Sequence, residues 1–285
     1  MSAQLDDQVE QLDPETEWAH ILWHSYLTGD LSQLNLKVRT VRRVFKHLPS
    51  EPRCRVCNAP FSGVGGAVVG VLGFGAGRSS FNPSLCGRCE KIVKKHQVGT
   101  EIELTTLFAD VRGSTTLAEE IGISAFQTLI NRFYQVSARV LAESDALVVR
   151  LIGDAVIGLF VPGIAGPDHA RVALEAAVAL LEATGHADPD GPWIQVGTGV
   201  HTGMAYVGAV GSSETVSDIT VLGDVANTAA RLSSSAKPGE VLVSAEACQA
   251  AGPEYEACEV RKLQLKGRSQ PVETYVIRVT DDPGN

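Results

Sequence analysis

The sequence predicts an α+β fold: a mixed sheet with helices packed on it, preceded by a helical segment and a small cysteine-bearing module. Three observations predict it. Apolar residues recur at helical spacing over residues 1–50. Two CxxC pairs, Cys54 with Cys57 and Cys86 with Cys89, then flank a glycine-rich stretch. From residue 99 to 280, strand-like runs mix with amphipathic ones in an order that suits one sheet covered by helices. The chain therefore divides into a helical segment (1–50), a four-cysteine module with its linker (51–98), a large catalytic-size domain (99–280) and a short tail (281–285).

Each element has a local signature. Trp18, Ile21, Leu22, Tyr26 and Leu27 share one helix stripe. Val38, Val41, Val44, Phe45 and Leu48 make a second, whose polar positions Lys37, Arg39, Arg42, Arg43 and Lys46 are basic and read as a solvated face. Val64–Gly77 is apolar but so rich in glycine that it reads as loop rather than helix. Leu104–Asp110 reads as a strand, and Thr116 with Glu119 as a capping box opening a helix. After Gly122, Ser124 and Gln127 suggest another box, followed by a stripe from Phe126 to Leu141. Val148–Phe160 reads as two strands joined at Gly153–Asp154, and His169–Thr184 as a helix stopped by Gly185. Ile194–His201 and Ala205–Val210 read as separate strands broken at Thr202–Gly203. Val216–Leu222, a helix over Gly223–Ser234, Val241–Ser244 and Val272–Val279 complete the domain.

Composition narrows the function classes. A net charge of -9 in 285 residues argues against wholesale nucleic-acid binding. It is no obstacle to a nucleotide carried with magnesium, because the metal brings its own charge. No run reaches the roughly 18 apolar residues of a membrane span, and the polar, acidic start is unlike a signal peptide. These features predict a cytoplasmic protein. In a reducing compartment paired CxxC motifs favour metal over disulfides.

Two acidic residues stand in distinctive settings. Asp110 ends an apolar strand in LFADVRGST, and Asp154 sits in a turn between apolar strands in RLIGDAVIGLF. A carboxylate at a buried strand tip is costly unless it is paired or metal-bound. Two on neighbouring strands can share divalent ions suited to displacement at phosphorus; taken singly, both also read as turn or capping residues. In GDVANTAARL, Asn227 and Arg231 are four apart and share a helix face, an amide and a guanidinium suited to a sugar oxygen and a phosphate. Arg231 reads equally as an arginine satisfied by a carboxylate or carbonyl. Lys266, in LQLKGRSQ, precedes a glycine, where its ammonium can reach phosphates or stand solvated.

The five blocks FADVRGST, RLIGDAVIGLF, VGTGVHTG, TVLGDVANTAARL and LKG, in that order, together resemble the class III adenylyl and guanylyl cyclase domain over about residues 101–280. The resemblance implies roles position by position. Asp110 and Asp154 match the two metal aspartates, and the carbonyl of Val111 the backbone ligand, for two Mg2+ or Mn2+ per site. Asn227 matches the residue that orients the ribose, Arg231 the one that stabilises charge on the α-phosphate, and Lys266 the one that grips the terminal phosphates. It also implies a homodimer, since the family divides each site between two subunits. At the base-selecting positions the chain has Arg150 and Thr220. Threonine fits bacterial adenylyl members; arginine departs from the usual lysine but, like it, cannot accept a hydrogen bond from guanine. ATP is therefore the expected substrate and GTP the alternative. A second departure is SSETVSDI after Gly211, which lacks the basic residue that many relatives offer the phosphates.

CRVC and CGRC, twenty-eight residues apart, form paired knuckles that favour tetrahedral zinc on Cys54, Cys57, Cys86 and Cys89. An iron–sulfur cluster or a thiol–disulfide pair are the alternatives. His20 and His24, four apart, read as core or surface histidines more than as ligands, and Cys248 and Cys258 as packing residues. Because residues 1–98 directly precede the first catalytic strand, they are expected to regulate it. Outside the enzyme class, a degenerate nucleotide-binding regulator and a nucleic-acid adaptor remain as readings.

Overall fold

The computed structural model describes residues 13–34, 36–49, 52–71, 77–79, 85–147, 149–211, 217–264 and 271–279. They form two compact units: one of residues 13–26, 30–100 and 207–220, the other of 27–29, 101–206 and 221–279.

In the first unit, α1 (Pro14–Thr28) opens on an Asp13 carboxylate that accepts the Glu15 and Thr16 amides, a side-chain N-cap. Trp23 is buried and donates its indole N–H to the carbonyl of Val207 at 2.9 Å. On helix α2 (Leu36–Lys46) Arg39, Arg43 and Lys46 are exposed, as a solvated basic face requires, while Arg42 is half-buried. Arg39 caps the carbonyls of Leu31 and Ser32, and Arg42 those of Arg55 and Val56. Burial lowers the Arg42 pKa, and the neighbouring cysteines Cys57, Cys54 and Cys89 offset this only in part.

One correction concerns the glycine-rich run. Gly63–Val71 is a helix, α3. A methyl group on Gly65 would stand 2.1 Å from the Pro49 carbonyl oxygen, and one on Gly66 3.0 Å from the Phe61 carbonyl carbon. These glycines are needed for close approach, not for looseness. Helix α4 (Gly87–Lys95) starts at Cys86, whose sulfur accepts the Cys89 amide as N-cap.

Most of the sheet lies in the second unit. The sheet's strands are β1 (Gly99–Val111), β2 (Val149–Ile152), β3 (Ala155–Phe160), β4 (Val196–Gly211), β6 (Glu240–Ser244), β7 (Glu259–Leu263) and β8 (Val272–Arg278). Their spatial order is β2-β3-β1-β4-β6-β8-β7, while β5 (Ser217–Leu222) pairs β4 off this path. Pairing is antiparallel for β1–β3, β2–β3, β6–β8 and β7–β8, and parallel for β4–β6. This mixed sheet with packed helices is the expected α+β architecture.

Alternation sorts the two faces. Leu107, Ala109, Val111, Val196, Val200, Val241, Val243 and Ile277 meet α6 (Ile123–Glu143), α8 (His169–Ala183) and α10 (Ala245–Ala251) in the main core. On the other face, Leu242 and Val276 pack with Leu232 and Ala236 of α9 (Asp224–Ser235) and the residue after it. Asp110, between Ala109 and Val111, points to that second face.

Three local expectations fail for identifiable reasons. The helix α5 (Ser114–Ile121) begins two residues before Thr116, capped by Gly113 at φ 66 with no side-chain bond. Likewise α6 begins at Ile123 behind Gly122, so Ser124 is inside the helix and not its cap. Finally, β4 runs unbroken through Thr202–Gly203, because Gly203 is a strand glycine whose missing methyl leaves room for Val225, 3.1 Å from where it would lie.

Candidate active site and metal centre

Asp110 is the last but one residue of β1 and pairs in register with Ala155, directly after Asp154 in the β2–β3 turn. The Val111 amide donates to the Asp154 carbonyl at 3.2 Å, tying strand end to turn. Gly153 takes φ 63, the left-handed geometry of a tight hairpin. The Tyr134 hydroxyl, from α6, donates to the Gly153 carbonyl and fixes the turn from the side. Burial raises the Asp110 pKa above its ordinary value; Arg112 pulls it down and the Asp154 charge pushes it up again. Two carboxylates this close call for a cation.

Arg112 supplies one, and the sequence reading missed it. It pairs with the Asp110 carboxylate, donates from Nε to the Asp110 carbonyl at 3.2 Å, and donates from Nη1 to the Ser234 carbonyl at 3.0 Å. One side chain thus joins the carboxylate-bearing strand to the C-terminal end of α9. The signal was present as VRG after the aspartate, but nothing in the sequence tells where a guanidinium reaches.

Helix α9 carries Asn227, exposed, and Arg231, half-buried. Its packing depends on β4: a methyl on Gly199 would lie 2.2 Å from the Ser233 nitrogen and 2.4 Å from the Ala229 oxygen, and one on Gly197 2.9 Å from the Ala236 oxygen. The Ser233 hydroxyl donates to the Gly197 carbonyl at 3.2 Å. The glycines of VGTGVHTG therefore let the helix lie directly on the strand. Arg150 stands in β2 opposite Ile157, and Thr220 is a half-buried residue of β5. Lys266 and residues 212–216 lie outside the described residues.

In the first unit, Cys54, Cys57, Cys86 and Cys89 converge, with one sulfur from each within 4.8 Å of all the others. A tetrahedral ion with metal–sulfur bonds of about 2.3 Å separates its sulfurs by about 3.8 Å, and Cys57 and Cys86 stand 3.8 Å apart. The amides of Cys86 and Cys89 donate to the sulfurs of Cys54 and Cys86. Contact with Cys54, Cys57 and Cys89 holds the Cys86 thiol well below its ordinary pKa. Arg42 adds positive charge beside the cluster. Such an arrangement suits thiolate ligands of a metal ion.

The remaining candidates fall to packing. His24 meets the Thr100 hydroxyl at 3.2 Å. Cys248 is buried in the main core with Cys258 packed against it, and burial pushes its pKa up to about 11.

The pattern of strand-end aspartates, glycine-mediated helix packing and a mixed sheet has a counterpart among known proteins. The family described as adenylate and guanylate cyclase catalytic domain matches residues 97–279. This chain belongs to that cyclase family. An uncharacterised protein of Mycobacterium tuberculosis is 33% identical over 178 residues, 61% of this chain and 32% of its own length. Adenylate cyclase 1 of Rhizobium meliloti is 30% identical over 135 residues, 46% of this chain and 20% of its own length. The cyclase chain thus spans a third or less of these relatives. Among solved structures, the guanylyl cyclase Cya2 superposes with a TM-score of 0.59 at 24% identity, covering 66% of this chain and 97% of that one. The adenylyl cyclase CyaB of P. aeruginosa does so with 0.54 at 26%, covering 62% and 94%. No helix among the described residues is long and apolar enough to cross a membrane.

Proposed function

We propose that this chain is an adenylyl cyclase that converts ATP to cyclic AMP and pyrophosphate, working as a homodimer. The observation that carries this reading is the meeting of Asp110, near the end of β1, with Asp154 in the adjoining β2–β3 turn. Two carboxylates and the Val111 carbonyl form an all-oxygen donor set that fits Mg2+ or Mn2+. Bound there, divalent ions would lower the pKa of an attacking hydroxyl and neutralise departing phosphates.

The chain's own residues do the rest. Asn227 would orient the ribose so that its 3′-hydroxyl lies in line with the α-phosphorus. Arg231 would hold the charge that grows on the α-phosphate oxygens, a preorganised donor rather than a proton carrier. Lys266 would hold the terminal phosphates. Asn227 is exposed on its own subunit, which suits service to a site completed by a second copy. For the base, Thr220 and the non-accepting Arg150 favour adenine, and Rhizobium meliloti adenylate cyclase 1 is named for that activity.

The four cysteines fit a zinc ion by their spacing and their all-sulfur set. Zinc here would be structural, clipping a module too small to hold itself by a core. The same unit would regulate the cyclase: α1 grips Val207 of β4 through Trp23 and Thr100 of β1 through His24, the strands that continue toward the site.

The test is cyclic nucleotide production by the purified chain with ATP or GTP, each with Mg2+ or Mn2+, beside Asp110→Asn. Cyclic AMP formed by the wild type and lost in the variant supports the reading. Cyclic GMP alone would make it a guanylyl cyclase. No product from either, with nucleotide still bound, would make it a nucleotide-binding regulator.

A further inference from the structure

Arg112 touches both the carboxylate-bearing strand and α9, and the reaction proposed above gives it no role. Its root is fixed, because the Arg112 amide donates to the Gln195 carbonyl at 2.8 Å. Its guanidinium then serves two stations. At the first, Nη2 pairs with Oδ2 of Asp110 and Nε donates to the Asp110 carbonyl at 3.2 Å. At the second, Nη1 donates to the Ser234 carbonyl at 3.0 Å. Only 17% of the Arg112 side chain and 23% of the Asp110 side chain is exposed, so this is not a solvated surface pair.

The two stations differ in what they need. Ser234 is the last residue but one of α9, where carbonyls lack partners within the helix. The Ala236 amide takes up the carbonyls of Leu232 and Ser233, and Arg112 takes up that of Ser234. A cation suits that end of the helix dipole, so this station holds without any carboxylate. The other station is Asp110 itself, a member of the oxygen donor set it forms with Asp154 and the Val111 carbonyl. A guanidinium and a divalent ion on one carboxylate would repel each other in a site partly closed to water. The guanidinium offsets one of the two negative charges there, whereas a divalent ion offsets both.

We propose that Arg112 is a tethered competitor of the divalent ion: it neutralises Asp110 in the metal-free chain, yields that carboxylate when the ion binds, and so sets the metal concentration at which the site fills. The inference rests on the reading of Asp110 and Asp154 as the metal pair. Arg112 is a positioning residue and not a catalytic one. Its hold on Ser234 survives the exchange, so one side chain links metal occupancy to the helix that carries Asn227 and Arg231. The coupling is reciprocal: whatever strengthens the Arg112–Asp110 pair weakens metal binding by the same factor.

The experiment is titration of the full, zinc-loaded chain with Mn2+ without nucleotide, reading the free ion by electron paramagnetic resonance. Arg112→Gln keeps a polar side chain and loses the charge. It should bind Mn2+ at least about tenfold more tightly than the wild type, a change of about 1.4 kcal/mol. Damage to the fold would weaken binding, so a gain separates competition from a structural role. Arg112→Lys keeps the charge and should stay within about threefold of the wild type. Asp110→Asn should abolish the binding in both the wild-type and the Arg112→Gln backgrounds. If circular dichroism shows that Arg112→Gln does not fold, the wild type decides: the Arg112 Nε–H resonance, assigned through Arg112→Lys, should shift during Mg2+ titration with the midpoint of metal binding. Equal or weaker Mn2+ binding in folded Arg112→Gln, with binding still lost in Asp110→Asn, overturns the competition and leaves the metal pair standing. An Arg112 resonance indifferent to Mg2+ does the same. Mn2+ binding that ignores Asp110→Asn in both backgrounds overturns the metal pair, and the competition with it.

Discussion

The sharpest consequence of the fold concerns a residue with no side chain. A methyl group on Gly199 would stand 2.2 Å from the Ser233 nitrogen, 2.4 Å from the Ala229 oxygen and 2.8 Å from the Leu232 Cβ. Ordinary contact begins near 3.4 Å, so Gly199→Ala must open the β4–α9 gap by 3.4 - 2.2 = 1.2 Å. Two of the three neighbours are backbone atoms, which no rotamer change can move. The cost falls at the upper end of the overpacking range, about 3 kcal/mol, or about 6–12 °C in Tm for a domain of this size. The helix that moves carries Asn227 and Arg231. A misplacement of about 1 Å at reacting groups costs on the order of a hundredfold in rate. The assay pairs thermal unfolding with cyclic nucleotide production measured well below the variant's Tm. Gly87→Ala, where an added methyl meets nothing within 4 Å, is the control. Wild-type Tm and rate in Gly199→Ala would refute the claim that this glycine seats the helix.

Two further perturbations test the charges. Glu240 is buried between Arg261, at 2.9 Å to both carboxylate oxygens, and Arg278 at 3.4 Å, and its pKa falls from 4.5 to about 2. That fall corresponds to about 3 kcal/mol, which solvent at the Arg278–Glu259 side trims to about 2 kcal/mol. Because the folded pKa is depressed, the contribution is whole above pH 4.5 and fades toward pH 2. Glu240→Gln should therefore melt about 4–8 °C lower at pH 7, with the gap to wild type closing on acidification; a gap constant down to pH 3 would disprove it. Arg112→Gln should cost about 2 kcal/mol without divalent metal, through lost bonds to a carboxylate and two carbonyls. Saturating Mn2+ should narrow that deficit by taking over the Asp110–Asp154 charge, and differential scanning calorimetry showing the same deficit with and without Mn2+ would count against it.

How much was legible follows from what each signal encodes. Hydrophobic period located most helices and strands, because their buried faces repeat at 3.6 or 2 residues. It marked β7 only as a strand ahead of Lys266, without bounds, because its residues are exposed or half-buried; that strand is held by pairing with β8 and by Arg261 reaching Glu240. It divided β4 at a glycine that serves packing, and it discounted α3 because glycine content does not distinguish looseness from close approach. At the site, Asp110 and Asp154 were legible because a carboxylate at the tip of an apolar strand is locally anomalous. Arg112 and Tyr134 were not, since their roles lie in where long side chains reach across sequence separations of up to 122 residues.

A metal held by the four cysteines would act on several elements of the first unit at once. Beside its buried apolar residues such as Leu22, Trp23, Phe45 and Leu85, Arg39, Arg42 and Arg53 tie its loops by bonds to carbonyls. Bonds of this kind contribute about 1 kcal/mol each, more with a charged donor, and they persist only while the carbonyls stay in place. Four thiolates on one ion would fix those carbonyls, because Arg42 binds the loop between Cys54 and Cys57 and Arg53 binds the end of α2. The same ion would set the start of α4 at Cys86, and α4 leads within four residues into β1. Loss of the metal would therefore loosen α2, α4 and the entry to β1 together. That is the coupling a regulatory module needs, and it requires no contact beyond those already made within the unit.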